Sequence, residues 1–443
     1  MAQSLNRRTF LLGSAALGLA PAAARATSPN EKLNVAFIGV GGRGSANLGG
    51  LAPGNNVVAL CDVDQGRGGG AFAKHPDAKR FRDYRKMFDE MGKSIDAVAI
   101  STPDHVHAVQ AMEAIRRGIH VYCEKPLAHS VHEIRTITKA AREKGVVTQL
   151  GNQGHCTDSI RKLVEWVRDG AIGKVHTVHA SCGASNSMVR QAGLLAEKHP
   201  VPEGLDWDLW LGPALDRPYH PLYVPGKWRA WKAFGTGTIG DWVCHVVDPS
   251  FWALELGAPR TIEAVRITEY DPVKHAETFP PGYTVRYEFP AKGERGPVTL
   301  MWYSGLDASR VPRPEELEDG RDVPATGGVL LGEKGTIMHG SHGASNPKIV
   351  PESKMRAYKQ PEPTIPRVGD PYKNFVTSIR TGKKASSDFA EYGGPLTEVA
   401  LLGVIALEFP GRKLTWDAEA VRFTDCEEAN RLLNPPYREG WSL

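Results

Sequence analysis

Short apolar runs recur through the first third of the chain, each closed by a turn and followed by a helical stretch. Residues 33–38, 56–61, 95–101, 119–123 and 146–150 are continuous and short, which suits buried strands. Helical patterns lie between them, toward Leu51, over 105–117 and over 131–144. Strands alternating with helices predict a doubly wound parallel sheet. After Gly151 the pattern changes. Residues 174–182, 260–270, 282–289 and 297–303 alternate apolar with polar and are separated by long segments carrying Pro and Trp. They predict an α+β domain on a largely antiparallel open sheet. Residues 306–326 and 344–370 are Pro-rich and charged and read as surface excursions, and 395–408 as a late helix. The fold class expected is therefore α/β, with a first domain over 31–150 and a second over 151–443.

The first turn carries chemistry. Gly39-Val40-Gly41-Gly42-Arg43-Gly44 sits between a predicted strand and a predicted helix, the context that gives a GxGxxG spacing its meaning. Glycines let the backbone turn tightly and approach a pyrophosphate, and the helix N-terminus adds partial positive charge. Gly39, Gly41, Gly42 and Gly44 are thus cofactor candidates, with Arg43 as a further phosphate contact. Asp62 closes the second strand, where a carboxylate accepts from ribose hydroxyls and repels a 2′-phosphate. NAD is expected over NADP, on a Rossmann-type sheet.

Two later stretches supply acid–base groups. Residues 121–126 run Val-Tyr-Cys-Glu124-Lys125-Pro126, a strand ending in a lysine. Asp241 and His245 are four apart, on one face if 240–254 is helical, behind the glycine-rich stretch 235–240. His245 suits a base that takes a hydroxyl proton as hydride leaves carbon. Lys125 can stabilise charge on the reacting oxygen. Asp241 can orient the imidazole or bind a sugar hydroxyl. Thr102, Pro103 and His107 follow the 95–101 strand and Gln153 the 146–150 strand, at strand ends where ligands gather in such sheets. Asn152 and His155 join Lys125, Asp241, His245 and Trp242 as substrate candidates. Trp207, Trp210, Trp228, Trp231, Trp242 and Trp252 cluster closely, and an indole face can stack on a sugar.

With these residues in hand the chain resembles the glucose-fructose oxidoreductase/inositol dehydrogenase/rhizopine-catabolism family, written Gfo/Idh/MocA. The matching stretches are the glycine loop 39–44, Thr102-Pro103-Asp104-His105-Val106-His107, Glu124-Lys125-Pro126, and Gly240-Asp241 through His245. The resemblance covers nearly the whole chain after the N-terminus and is tightest in the first domain. It implies a Rossmann domain, a second α/β domain whose sheet mediates dimer or tetramer contacts, and pyridine-nucleotide chemistry on sugars or polyols.

The N-terminus alters the setting. Arg7-Arg8 precedes an apolar run over 10–20, and Ala24-Arg25-Ala26 fits a cleavage site. Residues 1–26 resemble a twin-arginine export signal, so the export machinery is an expected partner and the periplasm or exterior an expected location. The run is too short for a stable membrane anchor. Removing 1–26 takes away Arg7, Arg8 and Arg25 and no acidic residue, so the formal charge falls from +4 to +1. A near-neutral chain has no electrostatic basis for nucleic-acid binding. The six cysteines show no CxxC and read as free buried thiols, and the fifteen histidines show no metal-ligand spacing. Nicotinamide nucleotides being scarce outside the cytoplasm, a tightly bound NAD regenerated in each cycle is expected.

Three functions fit. The first is an exported NAD-dependent oxidoreductase acting on a secondary alcohol of a sugar or polyol. The second is a redox-neutral glycosidase that oxidises, eliminates, hydrates and reduces; it needs an extra base for a C–H proton, with His155, His179 and Tyr223 as candidates. The third is a non-catalytic sugar-binding protein.

Overall fold

The structure, a computed structural model, describes residues 32–443; the export signal expected at 1–26 lies outside the described residues. The first sheet has six parallel strands, β1 (Asn34–Ile38), β2 (Asn56–Cys61), β3 (Lys79–Phe81), β4 (Ala97–Ile100), β5 (His120–Glu124) and β6 (Thr148–Gly151). Their order is β3-β2-β1-β4-β5-β6. The order reverses between β1 and β4, and that switch point is where such a sheet opens a crevice for a ligand. β4 and β5 are buried along their whole length because helices cover both faces. Three features of this half were not read from the sequence, the helix Gln65–Lys74, the short edge strand β3 and the helix Tyr84–Met91 that follows it.

The second sheet has nine strands. They are β7 (Val175–Cys182), β8 (Thr261–Thr268), β9 (Gly282–Phe289), β10 (Val298–Gly305), β11 (Thr326–Gly332), β12 (Gly335–Gly340), β13 (Lys348–Val350), β14 (Leu414–Asp417) and β15 (Arg422–Phe423). Their order is β13-β12-β11-β7-β10-β9-β8-β14-β15, antiparallel throughout except where β7 runs beside β10. The helices Gly237–Val246 and Gly394–Ala406 lie against each other, and Gly403 sits under the Tyr287 hydroxyl of β9, where an added Cβ would come within 2.0 Å.

Three expectations change. The segment 344–370, read as an excursion, contains β13 and the helix Glu352–Ala357. The helix expected over 240–254 is two helices, Gly237–Val246 and Asp248–Ala253, with Pro249 in the first turn of the second. Proline lacks the N–H that a continuous helix needs at that position. Residues 371–385 also return to the first sheet: helix Pro371–Thr381 packs Phe375 and Tyr372 on Tyr122 of β5. All six cysteines are free and buried. Among the described residues no helix is long and apolar enough to cross a membrane.

Candidate active site

The switch point opens into a cavity of about 330 Å³ that runs from the glycine loop to the start of helix Gly237–Val246. At its first-domain end, Gly39 adopts φ +75° and donates its N–H to the Cys61 carbonyl (2.8 Å). A Cβ on Gly44 would lie 1.8 Å from the Gly39 oxygen, so only glycine lets the helix Arg43–Leu51 start this close to the strand. No side chain caps that helix; its Gly44 and Ser45 N–H groups donate to the Gly41 and Gly42 carbonyls (3.0 and 3.2 Å), and the helix N-terminus brings its partial positive charge to the glycine loop. Asp62 accepts from the Val40 N–H (2.9 Å) and the Asp64 N–H (3.0 Å), which fixes its carboxylate beneath the loop. Burial raises its pKa, and these N–H donors oppose the rise. The side chain of Arg67 crosses Gly41 and Gly42 at the same end. This is a cradle that fits a dinucleotide: no room for side chains at the turn, an uncapped helix N-terminus, and a carboxylate at the end of β2.

Glu124 organises the middle of the cavity. Its Oε1 accepts from Arg43 Nε (3.1 Å), Asn47 Nδ2 (2.9 Å) and Gln153 Nε2 (2.9 Å). Arg43 is therefore neutralised by Glu124 and also donates to the Tyr372 hydroxyl (3.0 Å), away from the role of a free phosphate clamp. Thr102 and Pro103 line the cavity, and the Thr102 hydroxyl donates to Gln110 Oε1 (2.7 Å). His107 does not line it. Its Nδ1 and Nε2 each lie 2.8 Å from a carbonyl, those of Pro126 and Thr102. It pins the turn after β4 to the turn after β5, so the expected cofactor contact is replaced by a positioning role.

At the far end Lys125 Nζ donates to the Asp241 carbonyl (2.7 Å) and to Asp241 Oδ1 (2.5 Å). Arg229 Nε (3.3 Å) and Asn186 Nδ2 (3.2 Å) also reach the Asp241 carboxylate. Burial would raise the Asp241 pKa, but Lys125 and Arg229 outweigh it and hold the carboxyl well below the usual range. Asp241 thus pairs with two cations and makes no hydrogen bond to His245, although both stand on one helix. The orienting role expected of Asp241 is not made. His245 is buried, its Nδ1 without a protein partner. Burial first, then Lys125 and His342, push its pKa well below the ordinary value.

The ring stacked on His245 is His342, with centroids 4.2 Å apart and 27° between planes. Trp242 stands edge-on to it (5.4 Å) and lines the cavity, as do Trp210 and Trp228. Trp207 and Trp231 belong to an aromatic cluster with Tyr219, Tyr223 and Phe234 instead. Sequence reading missed His342, Asn47, Asn186 and Arg229. Each lies outside any motif, on an element whose place in space only the fold decides.

Asn152 and His155, expected at the substrate, line no part of the cavity. His155 is enclosed by Asp248 (Nδ1 to Oδ1, 2.9 Å), the Ser386 carbonyl (3.0 Å) and the rings of Trp252 and Tyr392. Asn152 donates to the same Asp248. His179 sits on β7 against the Tyr303 hydroxyl (3.0 Å), and Tyr223 in the aromatic cluster, so all three bases proposed for a C–H proton are off the cavity. One trio outside it, Glu197, His199 and His220, brings ligand atoms within 4.8 Å of one another. The Leu222 N–H donates to His220 Nδ1 (3.1 Å), so the neutral ring carries its proton on Nε2 and offers no lone pair there.

Comparisons with known proteins bear on the family and the fold. The description "Oxidoreductase family, NAD-binding Rossmann fold" matches residues 33–152, and "Oxidoreductase family, C-terminal alpha/beta domain" matches residues 155–281. The chain belongs to the Gfo/Idh/MocA oxidoreductase family. It is similar to inositol 2-dehydrogenase of Salmonella typhimurium, 30% identical over 152 residues, 33% of this chain and 45% of that protein. It is also similar to 2,7-anhydro-N-acetylneuraminate hydratase of Mediterraneibacter gnavus, 28% identical over 154 residues, 34% of this chain and 40% of that one. The match thus spans less than half the length of these relatives. The fold is shared with the WlbA dehydrogenase from Bordetella pertussis, solved with NADH and UDP-GlcNAcA. That likeness has a TM-score of 0.61 at 18% identity and covers 87% of this chain and 99% of that one.

Proposed function

We propose that the protein is an exported NAD-dependent oxidoreductase acting on a secondary alcohol of a sugar or polyol. The observation that carries this reading is the meeting of Lys125, Asp241 and His245 at one end of a cavity whose other end is the glycine cradle. Gly39, Gly41, Gly44 and Asp62 would hold NAD, which when bound supplies a hydride acceptor. Neutral His245 takes the hydroxyl proton as the C–O bond becomes a carbonyl. Lys125, held by Asp241, donates a hydrogen bond to the reacting oxygen and stabilises the charge that grows there. Trp242 walls the substrate end, and the carbonyl product leaves with the proton on the imidazole. The twin arginines Arg7 and Arg8 and the apolar run behind them support export of a folded, cofactor-loaded protein.

A redox-neutral glycosidase is a second reading, favoured by the hydratase among the relatives and by His342, a second imidazole at the cavity. The test is to purify the mature protein with any NAD it retains, offer free sugars, polyols and aryl glycosides, and count NADH formed per substrate consumed. One NADH per site, then a stall, is the expected result. Many turnovers with aglycone released and no net NADH would replace the first reading with the second. No turnover with any substrate would sink both.

A further inference from the structure

His342 reaches the cavity by an unusual route. It lies just after β12, in a loop where three non-glycine residues, His342 (φ 52°), Ala344 (φ 54°) and Asn346 (φ 50°), take left-handed backbone. Such conformations cost free energy and persist where the surroundings enforce them. Here the hydroxyls of Thr157 and Ser159 donate to the Gly343 carbonyl (3.2 and 2.7 Å), and Gly154 abuts Gly343 so closely that a Cβ would lie 2.1 Å from its nitrogen. Ala344 is fully buried. The loop is thus clamped to the domain junction with the His342 ring against His245. Ser341 Oγ lies 2.9 Å from His342 Nδ1, which leaves Nε2 for an occupant of the cavity.

We propose that His342 is a further working residue of this site: its ring and that of His245 form a stacked unit that carries one proton, His342 being protonated first as pH falls and, once charged, stopping His245 from accepting the substrate's proton. The proposal rests on the reading of the cavity as an alcohol-oxidising site. Its basis is geometric. Two imidazolium rings with centroids 4.2 Å apart repel, so the second proton is opposed. His245 is buried whereas His342 is exposed to solvent, so His342 is the cheaper of the two to charge. The charged groups acting on the pair are Lys125 and Arg43, which oppose protonation of both rings, and Asp241, which favours it. Burial is the largest influence on each.

The sign follows. In the wild type kcat/KM falls as pH drops through the ionisation of His342. In His342→Phe, which keeps an aromatic ring against His245 and Trp242, only the more deeply buried base remains. The acid limb moves to lower pH and the active range widens. His342→Asn, which tolerates a positive φ, guards against a folding defect in the first variant. NAD affinity stays at the wild-type value in both. An acid limb that stays in place in both variants, or moves to higher pH, overturns the proposal.

A second measurement does not depend on turnover. Histidine Cε1 NMR titration of the NAD-loaded wild type, assigned with His342→Phe and His245→Gln, reports which ring protonates first. His342 titrating while His245 stays neutral supports the unit; His245 titrating first or together with it overturns it. If no sugar or polyol is oxidised, the proposed activity fails, and the NMR order still decides whether the pair exists.

Discussion

Lys125 and Asp241 act on each other before either acts on a ligand. The carboxylate takes hydrogen bonds from Lys125, Arg229 and Asn186, and two of these donors are cations. Removing the carboxylate leaves two positive groups converging with no counter-charge, and a truncated buried pair costs about 3–5 kcal/mol at the upper end. Both cations keep partial access to solvent, which cuts that figure, so Asp241→Ala is expected to lose about 1–3 kcal/mol, read by denaturant unfolding. Its turnover should fall by ~10²-fold or more because Lys125 is no longer aimed at the reacting oxygen. The pH dependence has a definite sign. The folded-state pKa of Asp241 is depressed, so its contribution to stability is present above the ordinary carboxylate pKa of about 3.9 and is lost as pH falls below it. Asp241 stays ionised from neutral pH down to that value, so it does not produce an acid limb above it.

Glycines in the helix Arg43–Leu51 give opposite predictions one helical turn and a half apart. A Cβ on Gly44 meets the Gly39 oxygen at 1.8 Å, whereas one on Gly49 meets nothing within 4 Å. Gly44→Ala should displace the helix start, cost about 1–3 kcal/mol and abolish measurable NAD binding. Gly49→Ala should stabilise by about 0.5–1 kcal/mol by restricting the unfolded chain, with NAD affinity unchanged. Thermal unfolding and a cofactor titration on both variants check the pair. The same contrast shows what was legible in the sequence. Strands β1, β2, β4, β5 and β6 announce themselves because parallel strands covered on both faces must be continuously apolar. The hairpin β11–β12 does not. Its glycines are there for close approach: a Cβ on Gly327 would lie 2.1 Å from the His339 carbonyl, and one on Gly328 2.4 Å from the His339 ring. Glycine is a poor strand former by propensity, so the local signal points to a loop while the tertiary contact requires a strand. His342 inherits that difficulty, since its position depends on a hairpin that the pattern does not reveal. Asp241 and His245 were legible as a pair on one helical face, but which neighbours each would face depended on Arg229 and Asn186, far away in pattern and near in space.

At the scale of the whole molecule, the chain closes on itself. The helix Pro371–Thr381 comes after nearly all of the second sheet yet completes the core of the first, with Phe375 buried against Tyr122 beside Val35, Phe37 and Ala99. The first sheet therefore lacks part of its core until the late chain has folded back. Tyr372, one turn earlier, reaches the cavity network: its hydroxyl donates to Asn47 Oδ1 (2.9 Å) and accepts from Arg43 (3.0 Å), and both of those side chains hold Glu124. Its ring fills the space left by Gly50, where a Cβ would lie 2.3 Å from it. Core and site can thus be separated by two substitutions on one helix. Phe375→Ala removes a fully buried aromatic side chain from the first sheet's core and should cost about 3–5 kcal/mol in unfolding free energy, read by denaturant unfolding followed by circular dichroism. Tyr372→Phe keeps the ring and deletes only the hydroxyl, so stability should fall by no more than about 1.5 kcal/mol. Its effect should instead appear as weaker NAD binding, because Arg43 and Asn47 lose the contact that holds them on Glu124. If Phe375→Ala unfolds like the wild type, the late helix is a passenger on the first sheet rather than part of its core.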